Sequence, residues 1–306
     1  MTELALATFE TELHGALELG GRALAWAEAS GRPLLASASF TAHALVLGAL
    51  QREDTLRSRT PARFDVPIAR RRSTGTEAQL DGAVLYHALA LPRVNALFAD
   101  ATARTLLNRN LRAILRGYAA VGTPLRYFGT EVLALLGHPV ALVGYEQLAS
   151  GATLIELLIG LENPCVVRPA LKREPPAALY PLLRQSPPAH EFLRNAVAGI
   201  VARLGAKPFD VAASLPASEP VPAPVHSVVE ASVAVPLGVV EAVVEPALRI
   251  TGDLLVATPA LHRFEDLVSE ALVCGDKLGE HLFAPFQTAP IDGARPADLL
   301  QAVLLA

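Results

Sequence analysis

An α/β protein of α+β layers, a mixed β-sheet flanked by helices with a small C-terminal α+β module, is the fold class this sequence predicts. Three observations point to it. Short apolar runs bounded by turn residues recur through the first half, the mark of buried strands. They are interrupted by only a few long amphipathic stretches, which is the pattern of a layered sheet and not of a bundle. Of the 306 residues, 52% are hydrophobic, enough to bury a large core without staples.

Over 8–26 the apolar residues Phe9, Leu13, Ala16, Leu17 and Leu24 recur near helical spacing, predicting an opening helix stopped by Gly31-Arg32-Pro33. Residues 34–38 and 44–48 are short apolar runs and predict two strands. The polar stretch 51–65 predicts a long connection into Val66-Pro67-Ile68-Ala69 and the arginine cluster Arg70-Arg71-Arg72. Asp81-Gly82 predicts a turn feeding a strand that runs to Leu91. Residues 103–121 place Leu106, Leu107, Ile114 and Leu115 on one face and predict a strong amphipathic helix. Strands follow at 126–128 with 132–136, at 140–145 and at 153–159, then helices at 179–183 and 190–204, the second with Phe192, Val197, Ile200 and Val201 inward.

Pro216, Pro220, Pro222, Pro224 and Pro236 crowd the stretch that comes next. Proline fixes φ and donates no hydrogen bond, so an extended crossing is expected there. The chain accordingly divides into a domain at 1–207, a Pro-rich linker at 208–236 and an accessory module at 237–306. In the last, strands are expected at 239–244 and 247–251, and Gly252-Asp253 turns into Leu254-Leu255-Val256. A helix at 262–272 ends at Gly275, and a closing helix is entered near Pro296.

Charge and cysteine content narrow the function classes. A net charge of −4 offers no basic stripe, so no nucleic-acid partner is expected. Only Lys172, Lys207 and Lys277 are lysines, the other basic residues being arginines, a bias that codon usage alone can produce. Cys165 and Cys274 have neither CxxC spacing nor zinc-type histidine partners, so neither a disulfide framework nor a metal site is expected. The first residues carry acidic groups and no basic region ahead of an apolar run, unlike a signal peptide. The most apolar run, 231–248, contains Glu241, Glu245 and two prolines, so no membrane span is expected and a cytoplasmic location is the default.

Four phrases, in this order, carry a resemblance: Ala44-Leu45-Val46-Leu47-Gly48-Ala49-Leu50-Gln51, then Arg71-Arg72-Ser73-Thr74-Gly75-Thr76-Glu77, then Asp81-Gly82 with Leu85, then Gly137-His138-Pro139-Val140 with Gly144. Together with the tail phrase Ile250-Thr251-Gly252-Asp253 they resemble the lipoate–protein ligase branch of the biotin and lipoate ligase family, over most of the chain. The resemblance implies activation of a lipoate or octanoate carboxylate with ATP and Mg to an acyl-adenylate, then transfer to a lysine of a lipoyl carrier domain. It also implies ligand-binding roles for Arg71, Arg72, Thr74, Gly75, Gly82 and Gly144.

The chemistry needs open backbone N–H groups near the phosphate and a lysine to stabilise charge as it develops on the α-phosphate. This sequence departs from both requirements. Thr76 and Glu77 replace the later glycines of the arginine loop, and Pro139 stands in the place of the lysine. Lys172 and Arg126 are the alternative cations. No catalytic residue is assigned. Cys165, with Arg168 nearby to lower its pKa, and His138, beside the missing lysine, are the weak candidates. His43, His87 and Cys274 are expected to be structural, and Glu131 and Glu156 receive no role. Two readings stay open: a degenerate, non-adenylating binder of an acyl ligand or carrier domain, or an active ligase or acyltransferase with altered motifs.

Overall fold

The computed structural model describes residues 3–129, 131–167, 174–218, 221, 231–244, 247–289 and 291–306. The chain opens with strand β1 (Glu3–Glu10), helix α1 (Leu13–Ser30) and a long strand β2 (Leu34–Leu47). A short helix α2 (Glu53–Arg59), strand β3 (Ile68–Arg70), strand β4 (Ala78–Leu91) and helix α3 (Leu106–Ala120) follow. Then come β5 (Arg126–Tyr127), β6 (Val132–Leu135), β7 (His138–Gln147), β8 (Thr153–Gly160), helices α4 (Leu179–Leu183) and α5 (Ala189–Leu204), and β9 (Lys207–Asp210). The C-terminal part holds β10 (Ala231–Val235), β11 (Gly238–Val243), β12 (Arg249–Gly252), β13 (Leu255–Val256), α6 (Thr258–Cys274), α7 (Pro285–Thr288), β14 (Ile291–Asp292) and α8 (Pro296–Leu305).

Nine strands form one mixed sheet in the order β5-β6-β7-β8-β4-β2-β1-β9, with β3 added alongside β2. β1 runs parallel to β2 and to β9, while β2, β4, β8, β7, β6 and β5 alternate in direction. The sheet is covered on both faces, as the fold class requires. Leu85, Leu89, Ile155, Leu157 and Ile159 meet α3 and α5 on one side. Ala36, Ala38, Tyr86, Ala88, Leu154 and Leu158 meet Ala16, Leu19, Ala23 and Leu24 of α1 on the other. Burying each such leucine contributes roughly 1.5–3 kcal/mol, so the two layers hold the sheet in place beneath the site.

Three expectations are corrected. The opening helix begins at Leu13, because Thr8 and Phe9 belong to β1, whose residues pair in parallel with Leu34 to Ser39. The two short strands expected at 34–38 and 44–48 are one continuous strand, in which Thr41 and His43 simply face outward. The polar connection holds α2, supported by a Glu53–Arg57 ion pair at helical spacing.

Within the stretch expected to be linker, 208–210 complete β9 at the sheet edge and Ala231–Val235 pairs with β11. The intervening residues 219–220 and 222–230 lie outside the described residues, as do Arg168 and Lys172. The C-terminal elements build a second core, with Val240, Ile250, Phe264, Val268, Leu299 and Val303 inside. Strand alternation then joins the two parts: Leu254 and Val256 face this second core while Leu255, between them, enters the core of the large sheet.

Candidate functional site

The arginine loop lies where β3 leaves β2 and folds back over β7 and β8. Arg71 N–H donates to Leu47 O at 3.0 Å, and Thr74 N–H donates to Tyr145 O at 3.0 Å, so both ends of the loop are tied to strands. Gly75, at φ +116, makes the turn. A side chain there would be strained and would meet Arg71 Nη2 at 2.6 Å, which explains why the position is glycine. Gly144 on β7 is glycine because of close approach: an added Cβ would lie 2.6 Å from Thr74 O.

Arg71 is fully buried. Its Nη2 donates to Thr74 O at 3.2 Å and to Thr76 O at 3.0 Å, while Nε and Nη1 have no hydrogen-bond partner among the described residues. Burial lowers its pKa, opposed by the nearby carboxylates of Glu156, Glu131 and Glu77. Glu156 sits opposite Gly144 on the neighbouring strand. Its Oε2 accepts the Ser73 N–H at 2.6 Å and its Oε1 accepts the Tyr86 hydroxyl, against the helix at Gly20. Burial, and then Glu156, push the Tyr86 pKa well up, so the hydroxyl keeps its proton as donor.

The expected ligand-binding set is only partly brought together. Arg71, Thr74, Gly75 and Gly144 meet around one loop, with Arg72 half-buried beside Gly21 of α1. Gly82, at φ +92, lies four residues along β4 from the loop end, about 13 Å away at strand rise. Its neighbour there is Glu162, whose Oε2 accepts Ala83 N–H at 3.0 Å.

Glu77 is held by Gln51 and Arg63 while staying in electrostatic reach of Arg71. Gln51 Nε2 donates to it at 2.7 Å and Arg63 Nη1 approaches at 3.4 Å. The same Gln51 Nε2 reaches Asp253 Oδ1 at 2.6 Å, and its Oε1 accepts Gly48 N–H at 2.9 Å. Gln51 is therefore the junction of the arginine loop, β2 and the C-terminal module. The sequence alone assigns no role to Gln51 or Glu156, although the Gln that closes the β2 phrase is a signal for the first.

Pro139 is buried in β7 opposite Ala134, and Arg126 is opposite Ala134 on the far side. The proposed substitute cation is thus two strands away, about 10 Å at sheet spacing. His138 faces outward and contacts Pro175 O at 2.9 Å. Cys165 is buried, donates weakly to Leu158 O and Val140 O, and burial pushes its thiol up to about 11. That is the reverse of the electropositive, partly exposed setting that makes a thiolate nucleophile.

The donors a nucleotide would need are already committed. Ser73 N–H serves Glu156 and Thr74 N–H serves Tyr145 O, so phosphate oxygens find neither, and three carboxylates stand within electrostatic reach of Arg71. Among the described residues no group of three or more His, Cys, Asp or Glu side chains gathers as a metal site, and no helix is long and apolar enough to cross a membrane.

A mixed nine-stranded sheet with helices on both faces, carrying an arginine loop over its central strands, defines a biotin/lipoate ligase-like fold. Solved structures bear this out. A bipartite lipoate protein ligase studied with its E2 lipoyl domain, from Thermoplasma acidophilum, is 12% identical over 69% of this chain and 88% of its own, with a TM-score of 0.50. Lipoate-protein ligase A bound with ATP is 14% identical over 69% of this chain and 90% of its own, also at 0.50. No protein-family model matches the chain, and no curated protein matches it.

Proposed function

We propose that this protein is a non-adenylating binder of an acyl ligand, free or carried on a lipoyl-type carrier domain, and not an active ligase. One observation carries the reading: Arg71 is fully buried beside internal carboxylates, yet its Nε and Nη1 groups meet no acceptor among the described residues. A single carboxylate satisfies both donors in one bidentate contact. A triphosphate brings several further negative charges to a loop that already holds Glu156, and Pro139 offers neither charge nor N–H to stabilise a developing oxyanion. The fold supports descent from the ligases, and descent alone does not carry the reaction. The ATP of one structural neighbour and the lipoyl domain of another belong to those proteins.

Isothermal titration with lipoic acid, octanoic acid, ATP–Mg and a lipoylated carrier domain, paired with a pyrophosphate-release assay, tests the reading. Acid or carrier binding that disappears in Arg71→Met, with no nucleotide binding and no pyrophosphate, is the expected result. Acid-dependent pyrophosphate release overturns it in favour of an active lipoate or octanoate ligase acting on a carrier lysine. Silence with every probe overturns both.

A further inference from the structure

The two helices that cover the sheet on the side away from α1 differ in charge from the rest of the molecule. α3 and α5 carry Arg109, Arg112, Arg116, Arg194 and Arg203 against the single carboxylate Glu191, in a chain of net charge −4. Elsewhere six arginines, Arg32, Arg52, Arg57, Arg63, Arg249 and Arg295, each lie within 3.4 Å of a carboxylate, while others such as Arg22, Arg72, Arg126, Arg184 and Arg263 have none among the described residues, so the layer is set apart by the density of its arginines and not by their pairing. On this layer only Arg109 is paired, with Asp100 at 3.0 Å. Arg112, Arg116, Arg194 and Arg203 have no carboxylate partner among the described residues.

We infer that the outer face of the α3/α5 layer is a docking surface for an acidic protein. Arg109, Arg112 and Arg116 follow one another at i, i+3 and i+7, so they line one edge of α3, neighbours about 5–6 Å apart. That edge borders α5. The helices cross at Gly117 and Gly199, where a Cβ on Gly199 would lie 2.7 Å from Gly117 O, so the two backbones approach closely. Arg203 lies one turn beyond Gly199 on the same side of α5, which extends the cationic edge across the crossing. The crossing is buttressed from below by Tyr118 packed edge-on to Phe192, so the arginines ride on a rigid base.

The composition of the face selects its partner. Guanidinium forks pair bidentately with carboxylates, and carboxylates on successive turns of a helix repeat at the same 5–6 Å spacing. The aromatic residues of the layer, Tyr118 and Phe192, are buried, so no stacking platform is offered to nucleic-acid bases. None of the large exposed apolar side chains lies on α3 or α5, so a bilayer finds nothing to insert. The face lies on the opposite side of the sheet from Glu156 and α1, and the inference stands whether or not Arg71 holds a ligand.

The full-length protein and its Arg112→Glu/Arg116→Glu and Arg263→Glu variants, compared in binding to poly-L-glutamate, to duplex DNA and to vesicles of phosphatidylcholine with phosphatidylserine, test this. Arg263 is an exposed arginine on α6 and serves as the control. Wild type is expected to bind polyglutamate in a salt-sensitive way, the double variant to lose about tenfold or more in affinity, and Arg263→Glu to match wild type. An unimpaired double variant, or an equal loss in Arg263→Glu, overturns the inference. Tighter binding of DNA or vesicles than of polyglutamate, lost in the double variant, overturns the choice of a protein partner. Arg203→Glu repeats the test on α5, so a folding failure on α3 does not decide the outcome; Arg194, half a turn away beside Glu10, lies off this edge.

Discussion

Glu156 Oε2 accepts the backbone N–H of Ser73 at 2.6 Å, and this bond brings a carboxylate from the centre of the sheet into the arginine loop. The loop looks in sequence like an anion cradle. In the fold its first donor is already answered from within, and the same carboxylate opposes the desolvation of Arg71 electrostatically, without a hydrogen bond to its Nε or Nη1. A lone carboxylate four residues inside β8 has become the loop's internal counter-ion.

Removing that counter-ion is expected to be severe. Glu156→Ala leaves the Arg71 charge buried and the Ser73 N–H and Tyr86 hydroxyl without their acceptor, a loss on the order of 3–5 kcal/mol. Glu156→Gln keeps an acceptor and is expected to lose less. Urea unfolding of the three proteins measures this, and equal midpoints would show that the carboxylate does not compensate Arg71. The double variant Arg71→Met/Glu156→Gln should recover part of the loss, since a buried pair replaced by matched neutral groups is often near neutral.

Gly144→Ala tests the fit of loop to strand. Its Cβ would press on Ser73 Oγ and come to 2.6 Å from Thr74 O, which is backbone and cannot rotate away. Overpacking of this kind typically costs about 1–3 kcal/mol. Thermal unfolding should show the loss. A variant as stable as wild type would mean the loop shifts freely on β7.

Buried ionisable groups give opposing pH slopes. Burial raises Glu146 from 4.5 to about 7, against hydrogen bonds from Thr258 and Gln147, and raises Glu265 to about 7 as well. The folded state holds these protons more tightly, so their contribution to stability is complete below 4.5 and is lost as pH rises through 7. His87, between Ser37 and Tyr118, is lowered from 6.5 to about 4 by burial, so its contribution is present above 6.5 and is lost as pH falls toward 4. Glu146→Gln isolates the first effect: it is expected to exceed wild type by up to roughly 3 kcal/mol at pH 8 and to match it near pH 4.5. Chemical denaturation at the two pH values measures it, and an equal difference at both would rule out the titration of Glu146 as the cause.

The sequence showed the sheet-rich first domain, the amphipathic helix over α3, the helix stopped by Gly275 and the closing helix at Pro296, because periodicity and capping are local. It hid β1, because Leu4-Ala5-Leu6-Ala7 suits either a helix or a strand and only parallel pairing with Leu34 to Ser39 decides. It hid β9 likewise, a strand of Lys207-Pro208-Phe209-Asp210 that exists through its pairing with β1. At the site, the arginine loop and its glycines were legible as a motif. The roles of Glu156 and Gln51 were not, since their partners are 83, 70 and 202 residues away in sequence.

A single threonine hydroxyl sits at the seam between the two parts. Thr74 Oγ1 lies 2.9 Å from Tyr145 O and 3.1 Å from Val256 O, and it accepts the Val256 N–H at 3.1 Å. One hydroxyl, with one proton to give and lone pairs to receive, therefore joins the arginine loop to β7 and to β13 of the C-terminal module. Thr74→Val preserves volume and β-branching but removes donor and acceptor, leaving Val256 N–H buried without its partner, at about 1–3 kcal/mol. Thr258 still holds Glu146, through its Oγ1 at 2.5 Å, and Gln51 still holds Asp253, so the module is expected to stay attached and to loosen locally. Hydrogen exchange at Leu255 and Val256 should accelerate well beyond that at Leu157 in the sheet centre. Uniform acceleration across the chain would mean that Thr74 supports the global fold, and no change at all would mean that the seam is held by Gln51 and Glu146 alone.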